Sequence, residues 1–273
     1  MLPRVDLIRA DSSSWLLLNN SDHISDFIRK NGYWGLAEFS IAKVFIQDQE
    51  DVNVVDVGAN IGGFTVPTAQ LISNKKGIVH AFEPQRIVFQ QLCANVFLNR
   101  LDNVHVYNVA LGNSIKQIQI PELDFWESKN VGGLSVDQAI RKNINEDALS
   151  GKTFQNTETG IVYSVEQKTL DCFQFNFNIN LIKVDVEGYE LEFFQGSVQT
   201  VKASGFPPII FELWQEKTWY ESKAEKTKNI LSKWGYKFNY FGREILAQHP
   251  AHKRQCQITK NGNNFDLTII KND

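Results

Sequence analysis

The stretch Val52-Asn53-Val54-Val55-Asp56-Val57-Gly58-Ala59-Asn60-Ile61-Gly62-Gly63-Phe64-Thr65 limits the fold of this chain more than any other. Its β-branched apolar run predicts a buried strand, its glycines a tight turn, and residues 64–72 the start of a helix. Pro67 falls in the first turn of that helix, where a missing N–H does no harm. A strand, a turn and a helix N-terminus in that order set backbone N–H groups and a positive helix end beside a cavity at a sheet edge. Open α/β folds hold their ligands there.

The dinucleotide fingerprint G-x-G-x-x-G has a glycine at its middle position so that the backbone can approach a pyrophosphate. Here that position is Asn60, which carries a side chain. Asp56, two residues before Gly58, is expected to point into the cavity. Its carboxylate repels a pyrophosphate and suits an ammonium group. The residues therefore point to a ligand with a cationic amino-acid end and a ribose, S-adenosylmethionine. The bland alternative is a junction with no ligand, but a charge buried at a sheet end without a partner is costly. The candidate donor-binding residues on this stretch are Asp56, Gly58, Asn60, Gly62, Phe64 and Thr65.

Three later strands extend the pattern. Ile78-Val79-His80-Ala81-Phe82 is apolar and ends at Glu83-Pro84. Glu83 lies 83 − 58 = 25 residues after Gly58, near the ~20 expected of a carboxylate that accepts ribose hydroxyls. Each of its oxygens can take one O–H donor, and Pro84 stops the strand. In Leu181-Ile182-Lys183-Val184-Asp185-Val186-Glu187-Gly188, the charged residues stand at i, i+2 and i+4 of an apolar run, so a strand places them on one face. Acceptor binding and proton removal by Lys183, Asp185 and Glu187 is the functional reading, and a structural lysine–carboxylate network is its rival. Glu212 ends the strand Ile209-Ile210-Phe211 and joins this carboxylate group. Such a group can bind a divalent metal through oxygens, or one member can serve as a general base with a raised pKa. The residues leave both open.

Asp56-Val57-Gly58-Ala59-Asn60-Ile61-Gly62, Ala81-Phe82-Glu83-Pro84 and Ile182-Lys183-Val184-Asp185-Val186-Glu187-Gly188-Tyr189-Glu190 resemble, in the same order, the motifs of the FkbM family of S-adenosylmethionine-dependent methyltransferases. The resemblance runs from about residue 32 to about residue 215. It implies O-methylation, often of a sugar or polyketide hydroxyl. It also implies that Trp34 and Glu38 line the site and that Asn108 and Ala110 lie near the adenine. Thr169-Leu170-Asp171 is similar to a tripeptide that opens a helix in the family.

Residues 1–31 read as a packing arm, with Trp15-Leu16-Leu17-Leu18 a short strand or core anchor and Ser21 the cap of a helix through Ile28. A helix follows residues 32–38. Helical patterns cover residues 85–99 and 217–233, and strand patterns cover 104–111, 117–120 and 161–169. Residues 137–149 suit a short helix. The alternation of strands and helices is interrupted over 112–165, and a long interruption of that kind is usually functional. Residues 121–160 are expected to cover the acceptor and select it. Residues 236–241 and 265–270 read as two closing strands joined by a polar connection holding His249, His252 and Cys256.

A net charge of −3 leaves no polycationic footprint for nucleic acid. Three widely spaced cysteines, Cys93, Cys172 and Cys256, suit reduced thiols in a cytoplasmic protein rather than a disulfide framework. Arg4, Asp6, Arg9 and Asp11 argue against a signal peptide, and no apolar run approaches the ~20 residues of a membrane span. The expected architecture is a Rossmann-like class I methyltransferase fold: a seven-stranded, mostly parallel sheet with helices on both faces and the last strand antiparallel. Residues 1–50 are the arm and 51–273 the catalytic domain. The expected partner is a small-molecule or glycan acceptor. An NAD-dependent oxidoreductase is the first rival, disfavoured by Asn60 and by the lack of a hydride site. A non-catalytic S-adenosylmethionine-binding module is the second.

Overall fold

The computed structural model describes residues 1–10, 12–151, 156–261 and 264–271. Its centre is a seven-stranded sheet in the order Lys237–Phe241, Glu244–Gln248, Ile209–Glu212, Leu181–Val184, Asn53–Val57, Ile78–Phe82, Val104–Tyr107. The five strands from Ile209–Glu212 to Val104–Tyr107 pair in parallel. Glu244–Gln248 runs antiparallel to both of its neighbours. Successive strands are laid out on opposite sides of Asn53–Val57, so the end of that strand is the switch point where open sheets leave a crevice.

The strands are apolar on both faces because both are covered. Val55, Val57, Ile182 and Val184 pack with Phe193, Phe194 and Leu231 from the helices Glu190–Gln195 and Glu221–Lys233. Their alternating neighbours Val54 and Leu181 pack with Ile41, Phe45 and Ile72 from Leu36–Ile46 and Thr65–Ile72. Leu92 and Val96 of Arg86–Leu98 cover Ala59 and Ala81 on that second face.

The N-terminal residues form an antiparallel hairpin, Val5–Arg9 with Ser14–Leu18. One edge of Ser14–Leu18 is held by three amides spaced four apart. Gln91 Nε2 donates to Leu16 O at 2.9 Å, Asn95 Oδ1 accepts from Leu16 N at 2.7 Å, and Asn99 Oδ1 accepts from Ser14 N at 2.8 Å. The next helix, His23–Asn31, is capped by Asp22 rather than Ser21: the Asp22 carboxylate accepts from Ser25 N. Its other oxygen accepts from Val131 N at 2.9 Å, which ties the N-terminal region to the insertion.

Several expected boundaries shift. The 104–111 pattern breaks at Asn108; Val109–Leu111 leaves the main sheet and joins Glu158–Lys168 and Lys116–Leu123 in a three-stranded sheet. Thr169-Leu170-Asp171 opens only a 3-10 turn, Leu170–Phe173. The closing strands are Lys237–Phe241 and Glu244–Gln248, joined by a two-residue turn with Gly242 at φ +66°. A turn with glycine first matches the twist of a tight hairpin. The 265–270 pattern falls instead in Asn264–Lys271, which pairs with Arg254–Asn261, so Cys256 sits in a strand and not in a connection. Part of the polar 151–160 stretch lies outside the described residues; Glu158 onward is strand. Among the described residues, no helix is long and apolar enough to cross a membrane.

Candidate functional site

The strand Asn53–Val57 hands over to a turn in which Gly58 and Ala59 both donate to Phe82 O, at 3.0 and 2.9 Å. Gly58 is at φ +76°, and a Cβ there would lie 1.8 Å from the Asp185 carbonyl oxygen. Its lack of a side chain is therefore used to bring the two strand ends together. Asn60 follows at φ +52°, with Oδ1 accepting from Ile61 N at 2.8 Å. An Asx contact of this kind stabilises a left-handed residue. A cavity of about 540 Å³ opens beside this turn, at the carboxyl ends of the central strands.

Gly58, Asn60, Phe64, Glu83, Pro84 and Ala110 line the cavity on the motif side. Trp34, Glu38, Lys183, Asp185, Glu187 and Glu212 line the rest. Four expected donor-binding residues do not reach it. Asp56 is fully buried beneath Lys183, with Lys183 Nζ 3.5 Å from Oδ1 and Thr65 Oγ1 donating to Oδ2. Its charge is thus met inside the protein, and the expectation that it points into the cavity is corrected. Thr65 is turned to Asp56 for the same reason. Gly62 backs onto Leu92 and Val66, where a Cβ would sit 3.0 and 3.2 Å away. Asn108 works from behind: its Nδ2 donates to the carbonyls of Glu83 and Pro84 at 2.8 and 3.0 Å, holding that turn in place.

Lys183 is the hub of the floor. It sits 3.3 Å from Asp185 Oδ2 and 3.5 Å from Asp56, and donates to Gly58 O at 3.1 Å. Burial opposes its charge, but Asp185, Asp56, Glu244 and Glu38 together hold it above the ordinary lysine value. The regular strand ends at Val184, so Lys183, Asp185 and Glu187 do not alternate along one strand as expected. Glu187 instead reaches the cavity from a turn, at φ +51°, followed by Gly188 at φ +89°. Glu190 fixes that turn by accepting from Gly188 N at 3.2 Å, and its other oxygen accepts from Tyr220 Oη.

Glu83 is buried, and its two oxygens accept from Gln85 N at 2.8 Å and Asn60 N at 3.0 Å. Burial pushes it up to about 7, against the pull of those two N–H groups. Burial, with Asp185 and Glu190 nearby, pushes Glu212 up to about 8. Burial, with Asp185, Glu212 and Glu190, also raises Glu187 well above its usual range. Glu244, next to the cavity, is raised to about 9 by burial and by Asp185. The site is a carboxylate-rich pocket in which burial raises the proton affinity of several acids. Among the described residues, no group of three or more His, Cys, Asp or Glu is arranged to hold a metal ion.

Sequence reasoning missed His23, Gln85, Asn130, Gly132, Tyr189 and Arg243 in the cavity wall. The Asn130–Gly133 stretch carried a signal in its paired glycines: a Cβ on Gly132 would lie 2.0 Å from Asn60 Nδ2, so the insertion closes directly onto the motif turn. Arg243 carried none, because its hairpin was not expected.

The family model described as Methyltransferase FkbM domain matches residues 56–238. The crystal structure of a methyltransferase FkbM from Methylobacillus flagellatus is 18% identical, covers 74% of this chain and 45% of that one, and superposes with a TM-score of 0.44. An S-adenosylmethionine-dependent O-methyltransferase from Thermotoga maritima is 10% identical over 96% of this chain and 71% of that one, with a TM-score of 0.42. The curated tRNA(Phe) (4-demethylwyosine(37)-C(7)) aminocarboxypropyltransferase of Methanocaldococcus jannaschii is 42% identical over 60 residues, 22% of this chain and 23% of that protein. The chain thus spans less than half of the first of these structures and about a quarter of the curated relative.

Proposed function

The chain belongs to the FkbM methyltransferase family, and from that premise we propose that it transfers a methyl group from S-adenosylmethionine to a hydroxyl oxygen of a small-molecule or glycan acceptor. The observation that carries the donor assignment is Glu83. Two backbone N–H groups orient its carboxylate at the cavity wall, and each oxygen keeps a lone pair for one hydroxyl of a ribose diol. Asn60, with its side chain, stands where a dinucleotide site has the glycine that lets a pyrophosphate approach. The surrounding carboxylates Glu38, Asp185, Glu187 and Glu212 would repel one. Both facts weigh against a dinucleotide.

The donor supplies an electrophilic methyl group on sulfur. The protein's part is alignment of the acceptor oxygen and removal of its proton. Asp185 is held by Lys183, so the proton acceptor is assigned to the Glu187–Glu212 pair, whose raised affinity for protons suits a base acting near neutral pH. Asp56 and Lys183 position Asp185 and the Gly58 turn. Asn130 and Gly132 bring the insertion over the site, which supports a role for residues 121–160 in covering the acceptor.

Calorimetry with S-adenosylhomocysteine tests the donor assignment. Glu83→Ala is expected to weaken binding at least ten-fold with the fold retained by circular dichroism. Undiminished affinity in Glu83→Ala, or binding of NADH in place of S-adenosylhomocysteine, refutes it. Mass spectrometry of methyl transfer to a panel of hydroxylated sugars and lipids tests the reaction.

A further inference from the structure

Glu187, Glu212 and Arg243 line the main cavity and also a second chamber of about 140 Å³. The remaining walls of that chamber include Trp214 and Trp219, whose rings meet edge to face at 5.9 Å. Trp219 is fixed by a hydrogen bond from its Nε1 to Asp147 Oδ2 at 3.3 Å, so the indole is held before anything binds. A preorganised aromatic wall loses little entropy when a ring packs on it.

The charges of the chamber are unevenly matched. Lys217 pairs with Asp147 at 2.7 Å, and Arg243 pairs with Glu216 at 3.6 Å. Lys217 is thus engaged away from the carboxylates, while Arg243 acts on Glu212 only from beyond contact distance and through an exposed side chain. Among the described residues, no cationic side chain lies within ion-pair distance of Glu187 or Glu212. Burial and the neighbouring acids favour the protonated forms of both groups; hydroxyl groups leave that unchanged, whereas a cation seated between them favours the ionised forms. An ammonium group supplies that charge together with hydrogen-bond donors, and an indole face beside it adds a cation–π attraction.

We infer that the second chamber is the acceptor subsite and that it takes a hydroxylated ring bearing a protonated amine, held between the Glu187–Glu212 carboxylates and the Trp214–Trp219 wall. The inference rests on the methyl-transfer reading for the acceptor's role, but the chamber's preference for an amine can be measured separately.

Glucosamine, N-acetylglucosamine and glucose are titrated at pH 6.5 into the full chain, with and without S-adenosylhomocysteine, following indole fluorescence. Glucosamine is expected to give a saturable response with a Kd at least ten-fold below those of the other two sugars, in both conditions. Glu212→Gln is expected to bring the three sugars within about three-fold of one another. The inference is overturned by no saturable response to glucosamine, by an equal response to N-acetylglucosamine, or by an unchanged preference in Glu212→Gln. It is also overturned if the preference disappears once S-adenosylhomocysteine is bound, since the carboxylates then serve the donor. Failure of S-adenosylhomocysteine to bind, with the amine preference intact, instead counts against the donor assignment alone.

Discussion

Replacing Lys183 with Met separates the structural from the chemical role of the site floor. Lys183 Nζ stands 3.5 Å from Asp56, whose side chain is fully buried. In Lys183→Met the Asp56 carboxylate keeps only the Thr65 hydroxyl. Breaking a buried pair by removing one partner costs about 3–5 kcal/mol. At roughly 2–4 °C per kcal/mol for a chain of this size, the melting temperature should fall by about 6–20 °C. The deficit should also depend on pH. Without Lys183, the carboxyl of Asp56 is pushed further above its ordinary value of 3.8. A group raised in the folded state contributes fully below its unfolded pKa and loses that contribution as pH rises. The deficit should therefore grow with pH by up to about 1.4 kcal/mol per unit. Urea melts of wild type and variant at pH 5 and pH 8 measure it. Lys183→Met/Asp56→Asn keeps an acceptor for Thr65 and removes the stranded charge, so it should recover most of the loss. A deficit below about 1 kcal/mol at pH 8, or no recovery in the double variant, refutes the reasoning.

Two further outcomes follow from the same region. Gly58→Ala must adopt φ +76° and place its Cβ 1.8 Å from the Asp185 carbonyl oxygen, a backbone atom that cannot swing aside. The left-handed conformation alone costs about 1–2 kcal/mol, so a total loss of more than about 3 kcal/mol is expected; a urea midpoint equal to wild type contradicts it. The pH profile of stability is the second. Glu83 and Glu190 are raised to about 7, Glu212 to about 8 and Glu244 to about 9. Their contributions are complete below the unfolded value of 4.5 and are lost as pH climbs through those values. His80, lowered to about 4 by burial, acts the opposite way, its contribution being lost as pH falls from 6.5. The melting temperature of the apo protein should therefore fall between about pH 6.5 and pH 9 in scanning calorimetry, and a rise over that interval contradicts the assignment.

What the sequence disclosed, and what it concealed, divides along a physical line. The strand-turn-helix at Gly58, the parallel order of the central strands and the cavity at their ends were legible because each follows from local pattern and handedness. Glu83 was legible because it ends a strand at a fixed distance from the turn. The Glu244–Gln248 strand was not, because it depends on a two-residue turn at Gly242 and on pairing with Ile209–Glu212, both invisible to a one-dimensional pattern. Arg243 and the second chamber were lost with it.

The misplacement of Asp56 has the same origin. A carboxylate at the tip of a buried strand must be neutralised by a ligand or by the protein, and periodicity along one strand cannot decide which. Register decides it. Asp56 lies directly beside Lys183 on the neighbouring parallel strand, each the one charged residue of its strand. Two adjacent parallel strands carrying opposite charges at matched positions will pair inside the sheet before a ligand arrives, because the pair forms with the fold. On the proposed donor reading, the charge that meets a cationic donor then comes from carboxylates beyond the regular strands. Glu187 stands there in a left-handed turn and Asp185 one residue past the last paired position, so both remain available to the cavity. On the proposed reading, recognition is displaced outward from the strand to the loop that follows it, and Asp56 contributes by fixing the lysine on which that loop rests.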